Sequence, residues 1–328
     1  MLAACCLLEA WVRLFSLDRI VVEQMHNHKG AGEYGNRVTV EAPGIGWFLK
    51  GYEFNEDGLT IKFPKPHFYP KKKSAGKYRI LVLGDSVAEV WVSWNPKEKF
   101  PQMLEDSLNL ASGKKKFEIL NVSVGNYNTA QRYSLLTGYL KDFEFDLLLV
   151  QHCFNDAVNN YVHKKEEGDV SIYERYSPAI IGLGIFRDSP LLRSALFRRI
   201  NMDIYTLFGG LAPEKFSIIG HFEQQQQKEL YSLIKGECSR RGAELLVVMF
   251  PPLLDRSEPI AHALHMQDTV SADIFRALGI HYMELYSEFR EAGFARLYTV
   301  PGDFTHPNVL GHRIAAEKLL KVIQTYAH

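Results

Sequence analysis

The sequence predicts an α/β domain built on a parallel β-sheet that is covered by helices on both faces. From residue 78 onward, short apolar runs alternate with stretches of helical spacing. The first run, Tyr78–Leu83, stops at Gly84, where a turn is expected. Parallel strands are continuously apolar in this way because helices cover both of their faces. Strands separated by helical segments therefore favour a layered α/β architecture.

The predicted elements follow in chain order. Strands are expected at 78–83, 117–122, 146–151, 243–249 and 280–283. Helices are expected near 97–111, from 129 to about 142, and from 308 to about 325. Asn128 or Thr129 is a suitable N-cap for the second helix, because a side-chain oxygen there can accept a free N–H group of the first turn.

Two regions interrupt this rhythm. Residues 1–75 contain few periodic segments and are predicted to form an N-terminal extension that precedes the domain at 76–328. Residues from about 157 to 220 contain Pro, Gly and aromatic residues without a clean strand, and they are predicted to be an insertion between the third and fourth strands. Insertions at the carboxyl ends of parallel strands commonly form lids or substrate walls.

The N-terminal stretch is apolar up to Leu8 and is then interrupted by Glu9 and Arg13. It is shorter than the roughly 20 apolar residues that a membrane-spanning helix needs. It also lacks the basic start of a signal peptide. The segment Leu2–Cys5 resembles a lipoprotein cleavage box. Two interpretations stand: a lost or shortened membrane anchor, or a plain amphipathic helix of the domain.

Charge and cysteine content exclude several classes of function. The 328 residues include 38 Lys+Arg and 38 Asp+Glu, so the formal net charge is zero. Bulk charge therefore gives no attraction to nucleic acid or to an anionic membrane. The four cysteines form no Cys-x-x-Cys pair, and no spacing suggests zinc. We expect no metal, no cofactor and no nucleic-acid partner.

Polar segments follow the predicted strands. The segments are Gly84–Ser86 after the first strand, Ser123–Asn126 after the second, Cys153–Asp156 after the third, and Asp303–His306 near the C-terminus. The carboxyl ends of parallel strands meet at one edge of the sheet, and α/β proteins bind their ligands there. We therefore expect the four segments to converge on one site.

The residue types in these segments suit acyl transfer through a serine. The hydroxyl of Ser86 is a weak nucleophile until a base takes its proton, and His306 can do so near neutral pH. Asp303 can hold the second imidazole nitrogen. The expected donors to a tetrahedral oxyanion are the Ser86 N–H, the Gly125 N–H and the Asn155 side-chain amide.

Other polar residues near these segments are given structural roles. Asp85 and Asp156 are expected to order their loops. His152 beside Cys153 could suggest a thiol nucleophile. Neighbouring residues of a strand point to opposite faces, however, so the two side chains are not expected to meet.

With these segments in place, the chain resembles the SGNH superfamily, also called GDSL lipases and acylhydrolases. The matching blocks, in the expected order, are Gly84-Asp85-Ser86, Gly125, Asn155-Asp156 and Asp303-x-x-His306. Gly-Asp-Ser alone is common, whereas four ordered blocks across residues 79 to about 325 are a strong signal. The resemblance implies a three-layer α/β/α sandwich with a flavodoxin-like parallel sheet of about five strands. It also implies that Ser86, Gly125, Asn155 and His306 are the eponymous residues, with Asp303 as the third triad member.

The N-terminal stretch is similar to that of membrane-tethered bacterial members, which face the exterior and often act on acylated or acetylated glycans. An extracytoplasmic or membrane-tethered location is therefore favoured, with a cytoplasmic location as the alternative. Two features depart from the family pattern. Cys153 stands where many members have glycine, and the segment Val87–Val92 lacks the glycines of many tethered relatives. Both could reshape the pocket without removing a catalytic group.

Three functions are compatible with these residues. The first is a serine esterase that hydrolyses carboxylic esters, such as O-acetyl or short acyl groups on a glycan or small molecule. The second is an O-acyltransferase on a cell-surface glycan, because water and a sugar hydroxyl compete for the same acyl-enzyme. The third is a non-catalytic binding protein on the same fold, against which the intact Ser86, Asp303 and His306 argue.

Overall fold

The structure is a computed structural model that describes most of the chain from residue 52 onward and shorter parts before it. The described residues are 2–14, 39–42, 46–49, 52–61, 66–89, 96–114, 116–125, 127–157, 162–164, 170–172, 181–183, 191, 194, 196–197, 199–200, 216–218, 221–256, 259–299 and 303–326.

Within the described residues, helices separate the strands Tyr78–Leu83, Phe117–Asn121, Leu147–Cys153, Glu244–Phe250 and His281–Glu284. The strands are β1 (Thr39–Ala42), β2 (Gly46–Leu49), β3 (Tyr52–Phe54), β4 (Gly58–Ile61), β5 (His67–Pro70), β6 (Tyr78–Leu83), β7 (Phe117–Asn121), β8 (Leu147–Cys153), β9 (Val162–Lys164), β10 (Val170–Ile172), β11 (Ile181–Leu183), β12 (Phe216–Ile218), β13 (Glu244–Phe250) and β14 (His281–Glu284). The helices are α1 (Leu2–Leu14), α2 (Phe100–Ser112), α3 (Thr129–Thr137), α4 (His221–Arg241), α5 (Pro259–Leu278), α6 (Tyr286–Ala292) and α7 (Val309–Ile323).

The central sheet has five strands in the order β14-β13-β8-β6-β7, and all neighbouring pairs are parallel. When these strands are counted in chain order, this is the flavodoxin-like arrangement, in which the first strand lies between the second and the third. The five strands agree with the predicted ones to within about two residues at their ends. The predicted three-layer α/β/α fold with a flavodoxin-like parallel sheet is confirmed.

Each face of the sheet has its own hydrophobic core. Along β8, Leu148 and Val150 belong to the core beneath helices α3, α4 and α5, whereas Leu147 and Leu149 belong to the core beneath α2, α6 and α7. All four side chains are buried, because both faces of the strand are covered. This double burial is the reason that the strands are continuous apolar runs in the sequence.

The N-cap predicted for helix α3 is also present in the structure. Asn128, one of the two predicted N-caps, accepts the Gln131 N–H, and the Gln131 side chain accepts the Asn128 N–H in return. This reciprocal capping box satisfies two N–H groups at the start of α3. The long helices α4 and α5 were not predicted, although they form much of one outer layer.

Part of the predicted N-terminal extension packs into the domain core. Strands β3, β4 and β5 form an antiparallel sheet, and Tyr52 and Leu59 from it are buried in the same core as β6 and β8. The Tyr52 hydroxyl donates to the carbonyls of Asn121 and Ser123 at 3.3 and 3.2 Å. The predicted boundary near residue 75 stays a prediction, but residues 52–61 already contribute to the domain core.

Residues 157–220 show no clean strand in the sequence, but their described parts contain four short strands. Strands β9 and β10 pair antiparallel, and so do β11 and β12. Each has three residues, which is too short for a recognisable alternation of apolar and polar side chains. Most of this region lies outside the described residues, so a lid or wall role stays a prediction.

The N-terminal stretch forms helix α1, and its role as a membrane anchor or as a helix of the domain stays a prediction. The Glu9 carboxylate accepts the Ser194 hydroxyl at 2.7 Å and the Leu196 N–H at 2.8 Å, and Val12 is buried. Leu7, Trp11 and Leu14 are instead more than half exposed, at 72, 54 and 77%. Among the described residues, no helix is both long and apolar enough to cross a membrane.

Candidate active site

Ser86 lies in a tight turn directly after β6. A Cβ on Gly84 would lie 2.6 Å from the Gln151 side-chain oxygen and 2.8 Å from the Ala88 Cβ, so the turn needs glycine there. The Asp85 N–H donates to that same Gln151 oxygen at 2.9 Å, and the Asp85 carboxylate accepts the Val87 N–H at 2.9 Å. These contacts place Ser86, which is partly buried, at the carboxyl end of the sheet.

The structure brings Ser86, His306 and Asp303 into one chain of hydrogen bonds. Ser86 Oγ lies 2.9 Å from His306 Nε2, across 220 positions of sequence. His306 Nδ1 lies 2.9 Å from Asp303 Oδ2. Because Nδ1 faces a carboxylate, it carries the proton, and Nε2 is left to accept the serine hydroxyl. This arrangement can remove a proton from Ser86.

The loop that carries His306 is ordered by its own hydrogen bonds. Asp303 Oδ1 accepts the backbone N–H groups of Thr305 and His306, each at 3.0 Å. The carbonyl of His306 accepts the Thr299 hydroxyl at 2.8 Å. Asn308 follows and caps α7 by accepting the Leu310 N–H. Asp303 therefore fixes both the imidazole and the backbone that carries it.

Gly125 lies beside Ser86, but its N–H already has an acceptor. A Cβ on Gly125 would lie 3.8 Å from the Ser86 Cβ and 2.6 Å from Glu89 Oε2. The Gly125 N–H donates to the Glu89 carboxyl group. The expected role of this N–H as a donor to an oxyanion therefore competes with Glu89.

Asn155 lies in the 3-10 helix Phe154–Ala157 that follows β8. Its side chain lies outside the part of the chain that the structure describes, and so do residues 90–92 after the turn that carries Ser86. The Asn155 amide and the Ser86 N–H stay predictions as oxyanion donors.

Glu89 is a site residue that sequence reasoning missed. It is 4% exposed, and its N–H donates to the Asp85 carbonyl at 2.9 Å, so the turn after Ser86 is helical. Burial raises the pKa of Glu89 to about 7, while the Gly125 N–H and the Lys99 charge oppose the shift. The only sequence signal was a spacing of three from Ser86, which places two residues on one side of a helical turn.

A buried charged cluster lies beside the turn that carries Ser86. Arg132 of α3 contacts Asp156 at 2.7 Å and Asp85 at 3.8 Å, and all three side chains are almost fully buried. Asp156 also accepts the Cys153 N–H at 3.0 Å and lies 3.1 Å from His152 Nδ1. Although burial alone would raise the pKa of Asp156, Arg132 and His152 bring it below its ordinary value. Both carboxylates thus bind backbone N–H groups of their own loops.

The Cys153 thiol belongs to the same cluster. It donates to Asp85 Oδ2 at 2.8 Å. Burial, with the nearby Asp85 and Asp156 charges, raises the pKa of this thiol well above its ordinary value, so the thiol stays protonated. His152 Nδ1 instead lies 3.0 Å from the hydroxyl of Tyr231, which belongs to the core on the opposite face of the sheet from Cys153. The two neighbours therefore do not form a thiol–imidazole pair.

Within the described residues, no group of three or more His, Cys, Asp or Glu side chains is arranged to hold a metal ion.

Comparison with known proteins gives similar solved structures only. No protein-family model and no curated protein sequence matches the chain. An α/β hydrolase enzyme from a Lake Arreo metagenome has a TM-score of 0.49 at 10% identity, covering 78% of this chain and 99% of that one. An acetylxylan esterase from Geobacillus stearothermophilus has a TM-score of 0.48 at 13% identity, covering 76% and 96%.

A protein of Slackia heliotrinireducens described as an SGNH hydrolase has a TM-score of 0.43 at 13% identity, covering 75% of this chain and 99% of that one. At these identities the likeness concerns the fold alone.

Replacing Arg132 by methionine should destabilise the protein. The change keeps most of the side-chain volume but leaves Asp85 and Asp156 buried without their cation, which costs about 3–5 kcal/mol for a buried pair. Urea unfolding followed by circular dichroism measures the loss. Arg240→Met is the matched control, because Arg240 is exposed and pairs with Glu237 on the surface of α4; it should unfold like the native protein. Equal unfolding midpoints for the two variants would contradict this role of Arg132.

Proposed function

We propose that the protein is a serine esterase of the SGNH type, which hydrolyses carboxylic esters through Ser86, His306 and Asp303. The observation that carries the proposal is the unbroken hydrogen-bond chain from Ser86 Oγ through the imidazole to Asp303, with 2.9 Å at each step. Nucleophilic acyl transfer requires this geometry, in which a base reaches the hydroxyl and a third group orients the base.

In the proposed reaction, His306 Nε2 takes the Ser86 proton as Oγ attacks the acyl carbon. The imidazolium that forms is stabilised by Asp303 through Nδ1–H. The tetrahedral intermediate then expels the alcohol, which receives the proton from His306, and an acyl-serine remains. Water attacks this ester with His306 again as the base, and the carboxylic acid leaves with Ser86 restored.

The Ser86 N–H, the Gly125 N–H and the Asn155 amide are proposed to stabilise the oxyanion. Fixed donors of this kind are effective because they need no reorganisation when the charge develops. The closeness of Gly125 to the Ser86 Cβ, at 3.8 Å from a Cβ position on the glycine, supports its place in this set.

For the substrate we propose an O-acetyl or short acyl ester of a glycan or small molecule, as the sequence resemblance implies. The His306 and Asp303 side chains keep 27 and 21% of their surface exposed, so the triad lies at the surface edge of the sheet. Such a position leaves the serine open to an ester group on a larger molecule.

An O-acyltransferase is the alternative that shares every step up to the acyl-serine. The two activities differ only in whether water or a sugar hydroxyl attacks that ester. A non-catalytic binding protein is less favoured, since the triad keeps hydrogen-bonding geometry that simple binding does not require.

Membrane association is proposed for helix α1. One side of this helix contacts residues 194 and 196 through Glu9, while Leu7, Trp11 and Leu14 remain exposed. An exposed apolar helix face with an aromatic residue can lie in the interface of a lipid bilayer.

Replacing Ser86 by alanine should lower kcat/KM for an aryl acetate by about a thousandfold or more, because the nucleophile is lost. It should also abolish labelling by a fluorophosphonate probe, measured by intact-protein mass spectrometry. Ser232→Ala, at an exposed position of α4, is the control and should keep both properties. Undiminished labelling of Ser86→Ala would rule out Ser86 as the nucleophile.

Hydrolysis and transfer can be separated by product analysis. We expect the native protein to release free acid from an acyl donor at the same rate with and without a glycan acceptor, because water is the proposed second nucleophile. Chromatography of the products with an isotopically labelled acyl group measures both outcomes. Formation of an acylated glycan as the main product would establish the transferase instead.

The α1 face can be tested by sedimentation with phosphatidylcholine vesicles. We expect the native protein to sediment with the vesicles and the triple variant Leu7→Ser, Trp11→Ser and Leu14→Ser to stay in solution, because apolar contact area is lost. Leu110→Ser provides the control, since Leu110 is an 84% exposed leucine of α2. Equal sedimentation of the triple variant and the native protein would exclude α1 as the attachment site.

A further inference from the structure

The Glu89 carboxyl group occupies the place beside Gly125 where the proposed reaction requires the acyl oxygen to bind. This group accepts the Gly125 N–H, and Oε2 fills the space that a Gly125 Cβ would occupy. That space is also next to the Ser86 Cβ. The Gly125 N–H, one of the three proposed oxyanion donors, is therefore already bound to the acidic side chain of Glu89.

An ionised carboxylate at this position opposes an oxyanion in two ways. It occupies the N–H that would bind the acyl oxygen, and it places a negative charge beside the point where a second negative charge develops. Fixed donors accelerate acyl transfer when they are free to bind the developing charge. A neutral carboxylic acid removes the repulsion and accepts a hydrogen bond more weakly than a carboxylate does.

The charged and titratable groups around Glu89 come from several elements. Lys99 precedes α2, Asp85 lies in the nucleophile turn, Tyr52 belongs to β3, and Tyr127 follows β7; each interacts electrostatically with Glu89. Burial raises the pKa of both tyrosines well above the ordinary value, so they are neutral. Lys99 is the one cation among these neighbours.

The charge on Lys99 is itself weakened by burial. Its ammonium group lies 3.3 Å from His312 Nε2 of α7 and 3.4 Å from the Val87 carbonyl. Burial lowers the pKa of Lys99 to about 8, although the Glu89 and Asp85 charges oppose the shift. Burial also lowers the pKa of His312 well below its ordinary value, so this imidazole is neutral. Among these neighbours, Lys99 thus has the charge opposite to that of the Glu89 carboxylate, and Asp85 has the same charge.

We propose that Glu89 is a positioning residue that controls the oxyanion site through Gly125: its carboxylate form withholds the Gly125 N–H, and its neutral acid form releases that N–H to the acyl oxygen. The inference rests on the proposed esterase reaction. Glu89 touches neither the acyl carbon nor the leaving group in this scheme, and it acts only through the glycine N–H.

The direction of the pH effect follows from the pKa of Glu89, which burial raises to about 7. Below that pH the acid form prevails and the Gly125 N–H is available. Above it the carboxylate accumulates, so kcat/KM falls by up to about tenfold for each further pH unit, as for any essential acid. Removing the positive charge of Lys99 would raise the pKa of Glu89 and shift this fall to higher pH.

The decisive experiment compares pH profiles of kcat/KM for an aryl acetate between pH 5.5 and 9.5. We expect the native protein to lose activity above a midpoint near 7, and Glu89→Gln to lack this alkaline fall because its amide stays neutral. Glu105→Gln is the matched control: Glu105 is a mostly buried glutamate with a raised pKa that accepts the Ile119 N–H of β7. It should retain the native profile. An unchanged alkaline fall in Glu89→Gln would overturn the inference.

A second measurement does not depend on turnover. The amide ¹H–¹⁵N signal of Gly125, assigned by glycine-selective labelling, should shift with the same midpoint in the native protein and in Ser86→Ala, and should stop titrating in Glu89→Gln. This result supports the control of Gly125 by Glu89 even in a protein that hydrolyses no ester, in which case only the proposed function fails. An active protein whose Gly125 signal does not titrate refutes the inference alone.

Discussion

The buried contacts of Arg132 with Asp156 and Asp85 are the interaction on which the candidate site depends. They join helix α3, the 3-10 helix after β8 and the turn after β6. Each carboxylate also accepts an N–H of its own loop, from Cys153 or Val87. A charge this deeply buried is stable only with its partners, so neither loop can move without leaving one unpaired. Ser86 follows Asp85 directly and is held by the same contacts.

The strand order supplies the frame for this cluster. Successive crossovers run to opposite sides of β6, so a crevice opens beyond the ends of β6 and β8. Ser86 lies after the first of these strands and Asp156 after the second. His306 comes from a loop that follows no strand of the sheet. In that loop the Phe304 carbonyl accepts the Leu253 N–H at 2.7 Å. That bond ties the histidine loop to the end of β13.

Glu89 shows how burial changes what a charged residue does. In water its carboxyl group would be ionised throughout the neutral pH range, and it would oppose any nearby oxyanion. Burial raises its pKa to about 7, so the neutral form becomes accessible under ordinary conditions. The same desolvation weakens the positive charge of Lys99. The site therefore combines the hydrogen-bonded chain of Ser86, His306 and Asp303 with an acid whose charge depends on its surroundings, and that chain alone does not describe the electrostatics of the site.

The sequence by itself determined the five parallel strands and the order of the polar segments that follow them, because doubly covered strands leave local apolar runs and their ends leave local breaks. The sequence also indicated that Ser86, His306 and Asp303 have side chains suited to acyl transfer. Only the tertiary structure decided that Tyr52 of β3 shares the domain core, that Arg132 lies between two aspartates, and that Glu89 takes the Gly125 N–H. These contacts depend on which distant segments pack together. Hydrophobic periodicity is a local property of the sequence, so it cannot identify the distant residue with which a buried charge pairs.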